Sequence, residues 1–128
     1  MYSKINPVVF VAALLLAPGP VAAHHSFAAE FDVTKPVKVH GTVTKMEWAN
    51  PHSWLYVDVK DANGKVTNWR FELASVNHLF RSGWKKDSVL VGLEMDILAY
   101  EAKSGGPVGN CRSVVLPDGK ELFSGEHG

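Results

Sequence analysis

Residues 52–73 read HSWLYVDVKDANGKVTNWRFEL and contain the two most regular runs of the chain. Apolar and polar side chains alternate with a period of two on both sides of Asn63-Gly64, as in two strands that each bury one face. Asn-Gly is the strongest short-range signal for a hairpin turn, because both residues tolerate a positive φ. The stretch therefore predicts an antiparallel hairpin with strands at residues 52–60 and 65–73.

Three further segments with the same alternation flank this hairpin. Residues 37–48 precede it, residues 88–101 follow it, and a last run covers about residues 109–116. In residues 88–101, one side of the alternation, expected to face the core, consists of Val89, Val91, Leu93, Met95 and Ile97. Gly41 lies inside the first run, where a glycine favours the bulge or sharp coil that a small barrel needs in order to close. The alternation therefore predicts five principal strands.

Residues 74–84 interrupt the alternation between the third and fourth strands. Ser75 is a suitable N-cap, the apolar side chains at positions 76, 79 and 80 have helical spacing, and Gly83 is a C-terminal stop. These features predict one short helix. With the order strand, strand, strand, helix, strand, strand, the chain is all-β and resembles the OB-fold, a five-stranded, partly open Greek-key barrel.

The N-terminal segment has the layout of a secretory signal peptide. Lys4 precedes an apolar run over residues 8–16, and the small residues Val21-Ala22-Ala23 mark the expected cleavage site. The apolar run is shorter than the roughly 20 residues of a membrane-spanning helix. We therefore expect an exported, periplasmic protein that begins at His24 and has no membrane span in its mature form. The expected divisions are a signal peptide at 1–23, an N-terminal arm at 24–36, a barrel at 37–123 and a flexible tail at 124–128.

Composition and charge narrow the class of protein. The chain has 128 residues, of which 46% are hydrophobic, and this size and composition suit one compact domain. Thirteen Lys and Arg residues balance thirteen Asp and Glu residues, so the chain lacks the positive field with which proteins bind nucleic acid. The single cysteine, Cys111, lies on the apolar face of a predicted strand, which predicts a buried, inert thiol.

Several short motifs resemble those of a family of small exported bacterial proteins of unknown function. They are HHSFAAEFD at residues 24–32, GTV at 41–43, EWANPH at 47–52, RSGW at 81–84 and LPDG at 116–119. The resemblance implies an exported small β domain and supplies no activity.

The chain has six histidines, and two of them, His24 and His25, would begin the mature protein. An N-terminal histidine offers its α-amine and its ring Nδ1 to one metal ion, and a second imidazole completes a T-shaped set of three nitrogens that suits Cu(II). This arrangement resembles the histidine brace of periplasmic copper-binding proteins and of the copper monooxygenases that oxidise polysaccharides. The pattern predicts a copper site and a role in metal handling.

His52 is the leading candidate for the second imidazole, because it follows the Asn50-Pro51 turn at the start of a strand, where the backbone holds a side chain firmly. His40 and His25 are further candidate ligands. Glu30 or Asp32 is a candidate to supply an oxygen ligand or to orient an imidazole. The alternative interpretation is that the histidine pair is a solvated polar terminus without a metal.

A second candidate site lies on the outer face of the hairpin. Trp54 and Tyr56 alternate along one strand beside Asn68 and Arg70 on the other, and this face of an OB-like barrel commonly binds extended ligands on aromatic platforms. It predicts a metal-independent module that binds a small ligand or an envelope protein partner. The alternative is that the aromatic side chains form a second small hydrophobic cluster, covered by the N-terminal segment or by the region after Pro117. The chain has none of the common catalytic motifs, so no catalytic residue is assigned.

Overall fold

A computed structural model describes residues 27–125, so the predicted signal peptide, its cleavage site, His24 and His25 lie outside the described residues. A helical segment at residues 27–30 leads into six strands and one further helix, α1. Their bounds are β1 Phe31–Glu47, β2 Trp54–Lys60, β3 Val66–Glu72, α1 Val76–Arg81, β4 Glu94–Ala102, β5 Val108–Val115 and β6 Glu121–Phe123. No helix within residues 27–125 is long and apolar enough to cross a membrane.

The strands form one sheet that closes on itself. Their order is β3-β2-β1-β4-β5-β6, and a parallel pairing between β3 and β5 joins the two sides into a ring. The long strand β1 makes this possible, because its first half pairs with β4 and its second half with β2. With α1 between β3 and β4, this is the predicted all-β, OB-like barrel, and the short strand β6 extends it beside β5.

The barrel interior is filled by the apolar faces of the alternating strands. The fully buried side chains include Val43, Leu55, Val57, Phe71, Ile97, Cys111 and Val114. Gly41 lies where β1 crosses β2, and a Cβ at that position would collide with the Asp58 carbonyl oxygen and the Val57 side chain. The glycine therefore permits a close approach of two backbones, and the β-bulge that was expected near it falls between Val43 and Lys45.

The region after β3 ties the helix to the end of the chain. The Ser75 hydroxyl accepts a hydrogen bond from the backbone N–H of His78 at 3.2 Å, which confirms the predicted N-cap. Trp84, which is buried, donates from Nε1 to the carbonyl oxygen of Phe123 at 2.8 Å. This bond fastens β6 against the segment that follows α1.

Two strands begin at positions other than those predicted. β1 begins at Phe31, so the second half of the expected arm is part of the sheet. β4 begins at Glu94, and the prediction that Val91 faces the core is wrong, since its side chain is 72% exposed. Gly92 has a φ of +92° and donates its N–H to the Val43 carbonyl at 2.8 Å, so the chain is still turning at this point.

Candidate functional site

His52 lies beside a buried carboxylate. Its Nδ1 is 3.3 Å from Oε1 of Glu72, the last residue of β3. Glu72 is only 9% exposed, although strand alternation places it on the outer face of the barrel. His52, the predicted remote ligand, therefore has a fixed carboxylate partner.

The backbone around His52 is held on both sides. The adjacent Ser53 donates its N–H to Ala74 and accepts from the N–H of Leu73, at 3.1 and 2.8 Å. The Ser53 side chain is buried and bonds both backbone groups of Ala49, across the turn that contains the cis Asn50-Pro51 peptide bond. Because the turn and the start of β2 are joined in this way, the position of the His52 backbone is well determined.

Burial and two charged groups act on the pKa of the Glu72 carboxyl. Burial raises the pKa of its carboxyl, the nearby His52 opposes this shift, and the negative charge of Glu30 adds to it. Glu30, from the segment that precedes β1, is therefore among the charges that act on the Glu72 carboxyl. Asp32, by contrast, accepts from the N–H and hydroxyl of Thr34 at 2.9 and 2.6 Å, and these bonds lower its pKa.

The segment at residues 27–30 lies against the outer surface of the barrel. The Phe27 ring contacts those of Phe31 and Tyr100, with centroids 5.6 and 6.4 Å apart. The carbonyl of Glu30 accepts from the N–H of Lys103 at 2.8 Å. The start of the described chain is therefore anchored to the end of β4 by both side-chain and backbone contacts.

Asn110 lies in the same region and is unusual. It is the register partner of Glu72 on β3 and of Tyr100 on β4. Its side chain is fully buried, yet neither its Nδ2 nor its Oδ1 has a hydrogen-bond partner in the part of the chain that the structure describes. Burying an amide in this way is costly, which distinguishes Asn110 from the apolar side chains that fill the barrel.

His40 lies on a different part of the barrel. Its Nδ1 is 2.8 Å from Oδ1 of Asp96, its register partner on β4, and both side chains are substantially exposed. Along β1, His40 is about 23 Å from Glu47, the residue that pairs with the first residue of β2, at about 3.3 Å per residue. Within residues 27–125, no three His, Cys, Asp or Glu side chains form a group that could hold a metal ion.

The predicted ligand-binding face is present on β2 and β3, but cations cover its rings. The guanidinium of Arg70 lies 5.6 Å from the centroid of Trp54, and Lys45 Nζ lies 5.3 Å from that of Tyr56. The Nδ2 of Asn68 donates to Asp58 Oδ1 at 2.8 Å and to Thr44 Oγ1 at 3.1 Å. The four predicted residues therefore share one surface, which has a cationic and aromatic character.

Sequence reasoning did not single out Asn110 or the burial of Glu72. Both occupy outward positions of alternating strands, which normally face solvent. Their burial depends on what lies over the barrel, and alternation carries no information about that. The EWANPH motif was the available signal for this region, because it includes His52 and the turn that fixes it.

Comparison with known proteins gives one match. A family model described as a family of unknown function (DUF6152) matches residues 13–111, which is most of the chain. No curated protein and no solved structure matches the chain.

Proposed function

The chain belongs to the DUF6152 family, and we propose that its mature form is a periplasmic protein that binds a copper ion through His24 and His52 and serves in metal handling. The α-amine and Nδ1 of His24 chelate the ion, and His52 supplies the third nitrogen, a set that suits Cu(II). His25 is the further ligand that we favour over His40, because His25 directly follows His24 in the sequence, whereas His40 lies in the half of β1 that pairs with β4.

The observation that carries this proposal is the His52–Glu72 pair. A carboxylate within ion-pair distance of Nδ1, at 3.3 Å, electrostatically favours the tautomer that is protonated there, which leaves Nε2 with its lone pair for a metal. Metal-binding histidines commonly have a carboxylate at their second nitrogen.

The course of the N-terminal segment supports the inclusion of His24. Phe27 packs on Tyr100, and Tyr100 and Glu72 are both register partners of Asn110, so about two strand spacings, or about 10 Å, separate the residue under Phe27 from the partner of His52. His24 lies three residues before Phe27, and an extended chain spans at most about 11 Å over three residues. A terminus anchored at Phe27 is therefore within a short distance of the same side of the barrel.

The proposal is tested by titrating the processed protein with Cu(II), after mass spectrometry has confirmed that His24 is the first residue. A variant with one alanine inserted before His24 removes the chelate of amine and imidazole and leaves the barrel intact. We expect the insertion to weaken binding about 100-fold, equivalent to about 2.7 kcal/mol. Equal affinity of the processed and extended proteins would overturn the proposal.

A second candidate function is a metal-independent binding module for a small ligand or an envelope protein. It is favoured by the placement of Arg70 over Trp54 and of Lys45 over Tyr56, which presents two cations on an aromatic surface. For this candidate, Trp54→Ala abolishes ligand binding while circular dichroism shows an intact fold. Loss of the fold in Trp54→Ala would instead assign this side chain to structural packing.

A further inference from the structure

A cavity of about 440 Å³ opens on the outer face of the barrel where β4, β5 and β6 meet. Its volume falls in the range of about 300–1,000 Å³ that is typical of small-molecule sites. Its walls are mainly apolar and include Pro36, Leu98, Tyr100 and Phe123. Leu98 and Phe123 are 42% and 59% exposed, so the cavity presents unpartnered apolar surface to solvent.

One cation, Arg112, lines this apolar cavity. Its guanidinium lies 5.3 Å from the centroid of the Tyr100 ring, and the side chain is partly buried. Among residues 27–125, the ion pairs are His40–Asp96, Lys45–Glu47 and His52–Glu72, so Arg112 has no carboxylate partner there. Glu121 also lines the cavity, but it is exposed and forms none of these ion pairs.

The ring beneath Arg112 is held in place. Tyr100 contacts Phe27 on one side, with an edge-to-face geometry and ring centroids 6.4 Å apart, while Arg112 lies over it. A guanidinium that rests on a fixed ring keeps its planar fork of N–H donors available, and this fork matches a carboxylate in a bidentate pair. The site therefore combines apolar walls with one oriented anion-binding group.

We propose that this cavity binds a small amphipathic anion, with an alkyl or aryl body against Leu98 and Phe123 and a carboxylate paired with Arg112. The positive charge of Arg112 selects a ligand with a negative charge, and the apolar walls select a ligand whose remaining part is apolar. This site is separate from the proposed copper site, since it needs none of the histidines.

The test is calorimetric titration of the mature protein with decanoate and with its uncharged analogue decanol. Arg112→Gln removes the charge and keeps most of the side-chain volume, so we expect it to weaken decanoate binding at least about tenfold and to leave decanol binding nearly unchanged. Arg81→Gln is the control, because Arg81 is an exposed arginine at the end of α1 and lines no part of this cavity. Decanoate binding by Arg81→Gln should equal that of the unmodified protein.

Phe123→Ala is a second variant that spares the fold, because the side chain is exposed and the bond to Trp84 uses only the backbone carbonyl. This variant should bind both decanoate and decanol more weakly than the unmodified protein does. Equal losses of decanoate affinity in Arg112→Gln and Arg81→Gln, or decanol binding as tight as that of decanoate, would overturn the proposal. So would binding to phosphatidylglycerol vesicles with none to free decanoate, or a dimer through this face that excludes decanoate.

Discussion

Glu72 and its neighbours show that polar side chains at outward positions of a barrel strand can be buried. The Glu72 carboxyl is nearly buried, faces His52 at 3.3 Å and feels the charge of Glu30. Asn110, its register partner, is fully buried with no hydrogen-bond partner for its amide within the described chain. Residues that would be solvated on an open strand are thus enclosed and electrostatically coupled.

The raised pKa of Glu72 predicts a specific dependence of stability on pH. Because the folded state raises this pKa above the ordinary value of 4.5, the carboxyl stabilises the fold below that value, and this contribution is lost as pH rises through the raised pKa. The side chain of Glu72→Gln cannot ionise, so the variant does not lose this contribution. Relative to the unmodified protein, its free energy of unfolding should therefore increase between about pH 4 and pH 7. Urea unfolding across this range measures the difference.

Glu121→Gln, at an exposed position, is the control and should show little change with pH. A difference between Glu72→Gln and the unmodified protein that stays constant over the same range would contradict the assignment.

Cys111 should be chemically inert in the folded protein. Its side chain is fully buried on β5, and burial raises the pKa of the thiol, so the reactive thiolate is scarce at neutral pH. We expect a thiol reagent to modify the native protein only as fast as it unfolds and to modify it completely in urea. Rapid stoichiometric modification under native conditions would show that Cys111 is accessible.

Among the elements, β1 determines how the barrel closes. It pairs with two strands along one continuous run, and Gly41 leaves room there for the close approach of the β2 backbone. The N-terminal segment that leads into β1 is anchored by Phe27 and by the carbonyl of Glu30. One element therefore connects the closure of the sheet to the anchored N-terminal segment.

Gly41→Ala should strongly destabilise the barrel. The added methyl group meets the backbone carbonyl of Asp58, which cannot move without displacing β2. We expect a loss of about 3 kcal/mol in the free energy of unfolding, measured in urea. Thr42→Ala, at the next position of β1, is the control and should lose much less; equal losses would show that the contact at Gly41 can relax.

Phe27→Ala should weaken copper binding although Phe27 supplies no ligand atom. Its contacts with Phe31 and Tyr100 anchor the segment that carries His24 in the proposed site. We expect about a tenfold loss of Cu(II) affinity, which is the usual scale for residues that position ligands. Phe80→Ala, an exposed aromatic residue packed on Trp48, should leave the affinity unchanged. Unchanged affinity in Phe27→Ala would separate this anchor from the metal site.

For the whole molecule, the sequence predicted the strands and the helix of the barrel better than the side-chain contacts on its outer surface. Alternation around Asn63-Gly64 and the close approach at Gly41 are local, and the structure confirms an all-β, OB-like fold with a helix capped by Ser75. Val91 was placed in the core because alternation continues through a turn that only the Gly92–Val43 hydrogen bond reveals.

The candidate site depends on longer-range contacts, and these were harder to predict. The location of His52 followed from the Asn50-Pro51 turn, whereas its partner Glu72 comes from a different strand and is buried at an outward position that alternation assigns to solvent. Arg112 and Tyr100 likewise form their cavity only after β4, β5 and β6 are assembled. Whether His24 joins His52 depends on the course of the N-terminal segment, which no periodic pattern encodes.

The central claim is that His52 is a copper ligand together with the mature N-terminal histidine. Electron paramagnetic resonance of the processed protein loaded with one equivalent of Cu(II) tests it directly, with His52→Ala and the matched control His40→Ala prepared in the same way. We predict nitrogen hyperfine structure that changes in His52→Ala, through loss of one coordinating nitrogen, and that His40→Ala preserves. A spectrum that is identical in His52→Ala and the unmodified protein would contradict the claim.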